Sequence, residues 1–127
     1  MIQMGSYLKV VDNSGVRFVY CIRVSGGYKR RYARLGDTLT VVVNRLRKKR
    51  RQYAKLKQGQ IVNGLIVRTK INKNYFFNDK IAFLENSIIL FNKKNQLFGT
   101  RIFGLLPKNL RYSRFMKIIV LAKGLKS

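Results

Sequence analysis

One stretch decides the fold class: Val16-Arg17-Phe18-Val19-Tyr20-Cys21-Ile22-Arg23-Val24. Its side chains alternate between two faces, one carrying Phe18, Tyr20, Ile22 and Val24 and the other Arg17, Val19, Cys21 and Arg23. A period of two in residues rich in β-branched and aromatic types predicts a β-strand. The two arginines indicate that the second face is partly wet or faces phosphate.

Similar stretches lie on both sides of this strand. We expect further strands at Tyr7 to Val11, Thr38 to Asn44, Gln60 to Thr69, Ser87 to Phe91 and Lys117 to Leu121. Asp12-Asn13-Ser14-Gly15 forms a turn, and Asn63-Gly64 is a bulge or a site of close approach. Short strands with turns about every ten residues predict one small barrel or sandwich over residues 1–127. Pro107 marks the start of a short helix.

The charge of the chain points to a polyanionic partner. It has 28 Lys+Arg against 4 Asp+Glu, a formal net charge of +24. Self-repulsion at this level penalises the compact state and favours a polyanion, most commonly nucleic acid and alternatively a membrane surface. Residues 45–57 lack the sustained apolar stripe of a membrane-binding helix, and the run Ile118 to Ala122 is too short to span a bilayer. We therefore expect nucleic acid and no membrane.

The basic residues form three clusters, each of which follows a strand. The largest, Arg45 to Lys57, contains no acid, so it should project from the folded body; a solvated or disordered basic tract is the alternative. Tyr28, Tyr32 and Tyr53 either stack on unpaired bases or fill the mouth of the barrel. The candidate phosphate-binding residues are Arg17, Arg23, Lys29, Arg30, Arg31, Arg34, Arg45, Arg47, Lys48, Lys49, Arg50, Arg51, Lys55, Lys57, Arg68, Lys70 and Lys73.

The reactive residues argue against catalysis. The chain has no His, one Cys (Cys21) and four scattered acids, Asp12, Asp37, Asp79 and Glu85. Neither a transition-metal ligand set nor an activated nucleophile can be assembled from them. A lone Cys in an alternating apolar segment is typically a small core residue. We expect no enzyme, no metal and no cofactor.

Eight short motifs follow one another along the chain. They are Val11-Asp12-Asn13-Ser14-Gly15, Cys21-Ile22, Gly26-Gly27, Arg30-Arg31-Tyr32-Ala33, Gly36-Asp37, Val67-Arg68-Thr69-Lys70, Gly99-Thr100-Arg101-Ile102-Phe103-Gly104 and Phe115-Met116-Lys117-Ile118-Ile119. In this order, the set closely resembles the universal large-subunit ribosomal protein L-fourteen family. A free nucleic-acid-binding barrel would share the charge but would not explain the last two motifs.

The resemblance implies a mainly β fold, a small five-stranded β-barrel with short C-terminal helices. It implies binding to large-subunit rRNA, contact with a neighbouring L-nineteen-type protein, and a bridge to small-subunit rRNA. Gly99, Thr100, Arg101, Ile102, Phe103 and Gly104 would lie on a partner-facing surface. Thr100, Arg101 and Lys117 match the positions that a ribosome-silencing factor uses in bacteria and mitochondria.

The chain departs from the family in ways that indicate an organelle. Ala82-Phe83-Leu84 stands where the family usually has Arg-Phe-Asp, and the loop at 45–57 is longer and more basic. Asn, Ile, Lys, Phe and Tyr are heavily used, and the N-terminus has no presequence-like pattern. We expect an organelle-encoded protein of the mitochondrion, with the plastid as the alternative.

Overall fold

The computed structural model describes residues 2–26, 31–48, 55–70, 83–107, 118 and 121–126. Within them lie the strands β1 (Tyr7–Val10), β2 (Val16–Val24), β3 (Thr38–Leu46), β4 (Ile61–Arg68), β5 (Ser87–Phe91), β6 (Ile102–Pro107) and β7 (Ala122–Lys126). β1 to β5 close into a barrel, and β6 and β7 form a separate two-stranded parallel sheet. The five-stranded barrel is therefore confirmed, and the sandwich alternative is wrong.

Closure depends on one parallel pairing. Four neighbouring strand pairs are antiparallel, and β1 then pairs with β5 in parallel through Lys9↔Ser87 and Val10↔Ile88. Closure gives each barrel strand a hydrogen-bonding neighbour on both sides, which removes the exposed edges of an open sheet.

The strand β2 has the predicted bounds, but its faces are not the predicted ones. Val19 and Cys21 are completely buried in the barrel core, whereas Tyr20 and Ile22 are exposed. The pairing with β3 shifts register near Phe18 and again between Cys21 and Arg23. Such bulges break strict alternation. They let both ends of the strand turn valines inward while the two arginines stay on the surface.

Gly64 is a site of close approach. A β-carbon there would overlap the end of the Ile88 side chain, 2.8 Å from its Cγ1, and would lie 3.2 Å from the carbonyl oxygen of Ile89. The pairing of β3 with β4 is regular through this position. The bulge in β4 lies further on, between Ile66 and Arg68 opposite β5. The glycine thus allows β4 to pack tightly against β5.

Two apolar clusters hold the fold together. One fills the barrel, and the other lies outside it, where Leu65, Ile89, Leu106 and Ile118 meet. All five residues of β5 are buried, because its outer face is covered by the second cluster. Burying one such side chain contributes about 1.5–3 kcal/mol. This second cluster therefore fixes β6 on the barrel.

The C-terminal predictions were partly wrong. Pro107 ends the strand β6 instead of beginning a helix; proline is tolerated at a strand end as well as in a first helical turn, so its position alone does not distinguish them. The last strand is β7, not Lys117 to Leu121, and Ile118 and Leu121 have helical backbone. Residues 108–117 lie outside the described residues, so the short C-terminal helices stay a prediction.

Candidate nucleic-acid interface

The Asp12 side chain is buried, and both of its carboxylate oxygens accept hydrogen bonds from the protein. Its Oδ1 accepts hydrogen bonds from the backbone N–H of Ser14, at 3.1 Å, and from the Ser14 hydroxyl. Its Oδ2 accepts the N–H of Leu90 on β5 at 3.1 Å. Burial raises the pKa of Asp12, opposed by these hydrogen bonds and by the charge of Arg47. This carboxylate joins the β1–β2 turn to the barrel.

The other described acids are also engaged within the protein. Asp37 Oδ2 accepts the backbone N–H of Arg34 at 2.6 Å. The two carboxylate oxygens of Glu85 pair with Lys9 Nζ at 3.3 Å and with the guanidinium of Arg68 at 3.5 Å. Asp79 lies outside the described residues. In the part of the chain that the structure describes, carboxylates therefore neutralise few of the surface cations.

Arg68, a predicted phosphate-binding residue, is buried between β4 and β6. Its Nε donates to the Leu105 carbonyl at 2.9 Å, its Nη2 to the Phe103 carbonyl, and its Nη1 pairs with Glu85. Burial lowers the pKa of Arg68, and the nearby charge of Glu85 opposes this. Two carbonyls at the edge of β6 are thus satisfied by a side chain from the barrel. This placement makes Arg68 a structural link rather than part of an exposed surface.

The other described candidates lie at the surface. Those that are exposed are Arg17, Arg23, Arg31, Arg34, Arg45, Lys48, Lys55, Lys57 and Lys70, and Arg47 is half-buried. Lys29, Arg30, Lys49, Arg50, Arg51, Lys73 and Lys117 lie outside the described residues. The exposed set comes from β2, from the segment before β3, from both ends of the largest basic cluster and from the end of β4, which Lys70 follows.

That cluster is anchored at both ends, so the prediction that all of it projects is partly wrong. Arg45 and Leu46 belong to β3 and pair with β2. Leu56 is 1% exposed and packs in the barrel core. Residues 49–54 lie outside the described residues. Leu46 and Leu56, two apolar positions within the basic run, therefore attach it to the fold.

Asn13 binds part of segment 99–104, which the family resemblance assigns to a partner-facing surface. Its Oδ1 accepts the backbone N–H groups of Thr100, at 2.6 Å, and Arg101, at 3.2 Å, while its Nδ2 donates to the Thr100 hydroxyl at 2.8 Å. A β-carbon at Gly99 would lie 2.7 Å from the same Oδ1. Sequence reasoning gave Asn13 only a turn role. The structure brings two motifs, 87 residues apart, into one surface.

Arg47 connects the basic cluster to this surface. Its guanidinium lies over the ring of Phe103, 5.4 Å from the centroid. The backbone N–H of Arg47 donates to the Gly15 carbonyl at 2.9 Å, and the backbone N–H of Phe103 donates to the Val11 carbonyl at 2.7 Å. Phe103 is 38% exposed. Residues 13–15, Arg47 and residues 99–103 therefore form one continuous region, the tethered surface.

The exposed aromatic residues are not all those that the sequence singled out. Tyr32 is 49% exposed, and its two predicted roles, stacking on bases and filling the mouth of the barrel, stay predictions. Tyr28 and Tyr53 lie outside the described residues. Tyr7 and Tyr20 pack edge to face on the outer surface of β1 and β2, with centroids 5.2 Å apart. Exposed rings of this kind can stack on unpaired bases.

Other kinds of site find little support among the described residues. There, no group of three or more His, Cys, Asp or Glu could hold a metal ion. Cys21 is a free thiol in the barrel core, as predicted, and burial raises its pKa. No described helix has the length and apolar character needed to cross a membrane.

Comparison with known proteins gives one family over almost the whole chain. A family model described as ribosomal protein L14p/L23e matches residues 1–125. The match includes the barrel, the tethered surface and all of the β6–β7 sheet except its last residue, Lys126.

Proposed function

The chain belongs to the ribosomal protein L14p/L23e family, and from this we propose that it binds large-subunit rRNA through the exposed cations of its barrel. Proteins of this family are structural components of the large ribosomal subunit. The chain is accordingly a structural ribosomal protein and not an enzyme.

The observation that carries the rRNA proposal is how the charges are distributed. The described acids are bound within the fold, whereas nearly all the described candidates are exposed on β2, on β3 and on the segments next to β3 and β4. Arginine and lysine on such a surface bind phosphate and release counterions from RNA. The affinity should therefore fall steeply with salt. We propose that the candidates outside the described residues contact the same RNA, and we leave out Arg68.

We propose that the tethered surface faces other components of the ribosome. Asn13 holds Thr100 and Arg101 in place, and the exposed Phe103 ring lies beneath Arg47. A rigid surface with an exposed ring and a cation suits both protein and RNA partners. The partners that we propose are small-subunit rRNA at an intersubunit bridge and an L-nineteen-type protein. Thr100, Arg101 and Lys117 would also serve a ribosome-silencing factor.

We also propose that the ribosome in question is mitochondrial, with the plastid as the alternative. The departure at Leu84 supports a divergent member, because this residue is 96% exposed where the family usually has Asp. The next residue, Glu85, supplies the carboxylate that pairs with Arg68. Mass spectrometry of purified mitochondrial and plastid large subunits tests the location.

Ultraviolet crosslinking in cells tests rRNA binding. The proposal predicts crosslinks to large-subunit rRNA. Crosslinks spread over bulk DNA or messenger RNA would instead favour a free nucleic-acid-binding barrel, which would share the charge of this chain.

A further inference from the structure

A groove of about 590 Å³ crosses the barrel surface where β4 begins and β5 ends. It follows a row of paired residues across four strands: Arg23↔Thr40, Thr40↔Asn63 and Asn63↔Phe91. Ile61, next to this row, is 62% exposed. The groove therefore combines polar side chains with an uncovered apolar one.

The loop after β5 brings two lysines to the rim of the groove. Asn92 Oδ1 accepts the backbone N–H groups of Lys94 and Gln96, each at 2.9 Å. Asn95 adopts a positive φ of 61° to complete the turn. These bonds hold the backbone that carries Lys93 and Lys94. The loop is ordered by its own turn, so the lysine side chains are available for another purpose.

The charges of the groove are of one sign. Its cations are Arg23, Lys93 and Lys94, contributed by two separate parts of the chain. Among the described residues that line it there is no carboxylate. The groove thus favours an anionic ligand that also has an apolar face.

We propose that this groove binds a single-stranded segment of RNA, with phosphates at its cations and an unpaired base against Ile61. Single-stranded RNA exposes bases as well as phosphates, whereas a duplex presents mainly phosphates and sugars to such a surface. Thr40 and Asn63 lie where they can bond the edge of a base. This inference rests on the proposed function, because the RNA is rRNA, and it adds Lys93 and Lys94 to the RNA-binding residues.

Site-directed crosslinking tests the position. Ile61→Cys and Met4→Cys, 62% and 66% exposed in the parent, each receive a benzophenone label. The native thiol is buried and stays unlabelled. The labelled full-length chains are bound to cognate large-subunit rRNA. We expect position 61 to crosslink to unpaired nucleotides in higher yield than position 4.

The outcomes separate the two proposals. Crosslinks from position 61 only to base-paired nucleotides, or only to another protein in assembled subunits, overturn the groove while leaving rRNA binding in place. Failure of the parent chain to bind rRNA overturns the proposed function and the groove with it.

Salt dependence gives a second measurement. The full-length parent and Lys93→Ser/Lys94→Ser are titrated with a short oligouridylate. Each phosphate contact with a single strand contributes about 0.7 to the slope of log affinity against log salt, so the double variant should show a slope shallower by about 1.4. Lys93→Arg/Lys94→Arg, which keeps both charges, should retain the parent slope. Equal slopes for the parent and the serine variant would overturn the groove.

Discussion

The guanidinium of Arg68 occupies the space that a β-carbon at position 104 would need. Such an atom would lie 2.9 Å from Arg68 Cζ and 3.2 Å from Nη1, and Gly104 has a φ of +82°. Glycine leaves the space open and adopts this backbone freely. Arg68 can therefore reach the carbonyls on either side, those of Phe103 and Leu105. This contact attaches β6, and with it the tethered surface, to the barrel.

Gly104→Ala should destabilise the protein more than Gly59→Ala does. Gly59 has nearly the same φ, +84°, but nothing lies within 4 Å of a β-carbon placed there. In both variants alanine must adopt a positive φ, which costs about 1–2 kcal/mol of stability. Only Gly104→Ala also displaces Arg68 from its hydrogen bonds, which costs about 1–3 kcal/mol more. Urea unfolding of the two full-length variants measures the difference. Equal losses would show that the Arg68 contact contributes nothing.

The sequence predicted where the strands lie better than it predicted which of their side chains point into the core. Val16–Val24 and Ser87–Phe91 have the predicted bounds, because their β-branched and aromatic content is local information. The buried and exposed faces of β2 differ from the predicted ones because bulges opposite β3 interrupt the alternation. These bulges depend on the pairing with β3, which the sequence of β2 alone does not reveal. The predicted helix start at Pro107 was wrong for a similar reason, since pairing with β7 makes this residue the end of a strand.

The links that build the site were not predictable from spacing. Arg68 and Phe103 are 35 residues apart, and Asn13 and Thr100 are 87 apart. No local sequence pattern distinguishes a buried arginine that donates hydrogen bonds to backbone carbonyls from a surface arginine that binds phosphate. The resemblance to a family indicated that both motifs matter, but only the fold brings them together.

Asn13→Ala should loosen the tethered surface. The substitution removes two backbone acceptor contacts and one side-chain contact with Thr100 and Arg101. We expect a loss of about 1–2 kcal/mol and faster hydrogen exchange at the two amides. Asn92→Ala is the matched control, because it removes an equivalent pair of backbone contacts at Lys94 and Gln96. Unchanged exchange at Thr100 in Asn13→Ala would refute the tether.

Asp12 should make the stability fall as the pH rises. Burial raises the pKa of its carboxyl above the ordinary value of 3.8, so the folded state binds this proton more tightly than the unfolded state does. The contribution is fully present below pH 3.8 and is lost as the pH rises through the raised pKa. Urea unfolding of the parent and Asp12→Asn at several pH values isolates it. The difference in the free energy of unfolding between the parent and Asp12→Asn should decrease as the pH rises. A difference that increases with pH would contradict the prediction.

Replacing Arg47 to Arg51 with serine should leave the barrel folded and weaken assembly into the subunit. Leu46 and Leu56 still anchor the stretch, and the lost cation–π contact with Phe103 contributes only about 0.5–1 kcal/mol. Circular dichroism and incorporation into reconstituted subunits measure the two effects. A variant with lysine at all five positions is the control and should assemble. Unfolding of the isolated serine variant would contradict the account of this loop.

Sedimentation of native ribosomal particles is the most direct test of the central claim, that this chain is a structural protein of the large subunit bound through its cations. Lysates are separated in moderate salt, and the chain is located by mass spectrometry. The account predicts that it travels with large subunits and is released as the salt concentration rises. A chain that stays at the top of the gradient in moderate salt, away from large subunits, would contradict it.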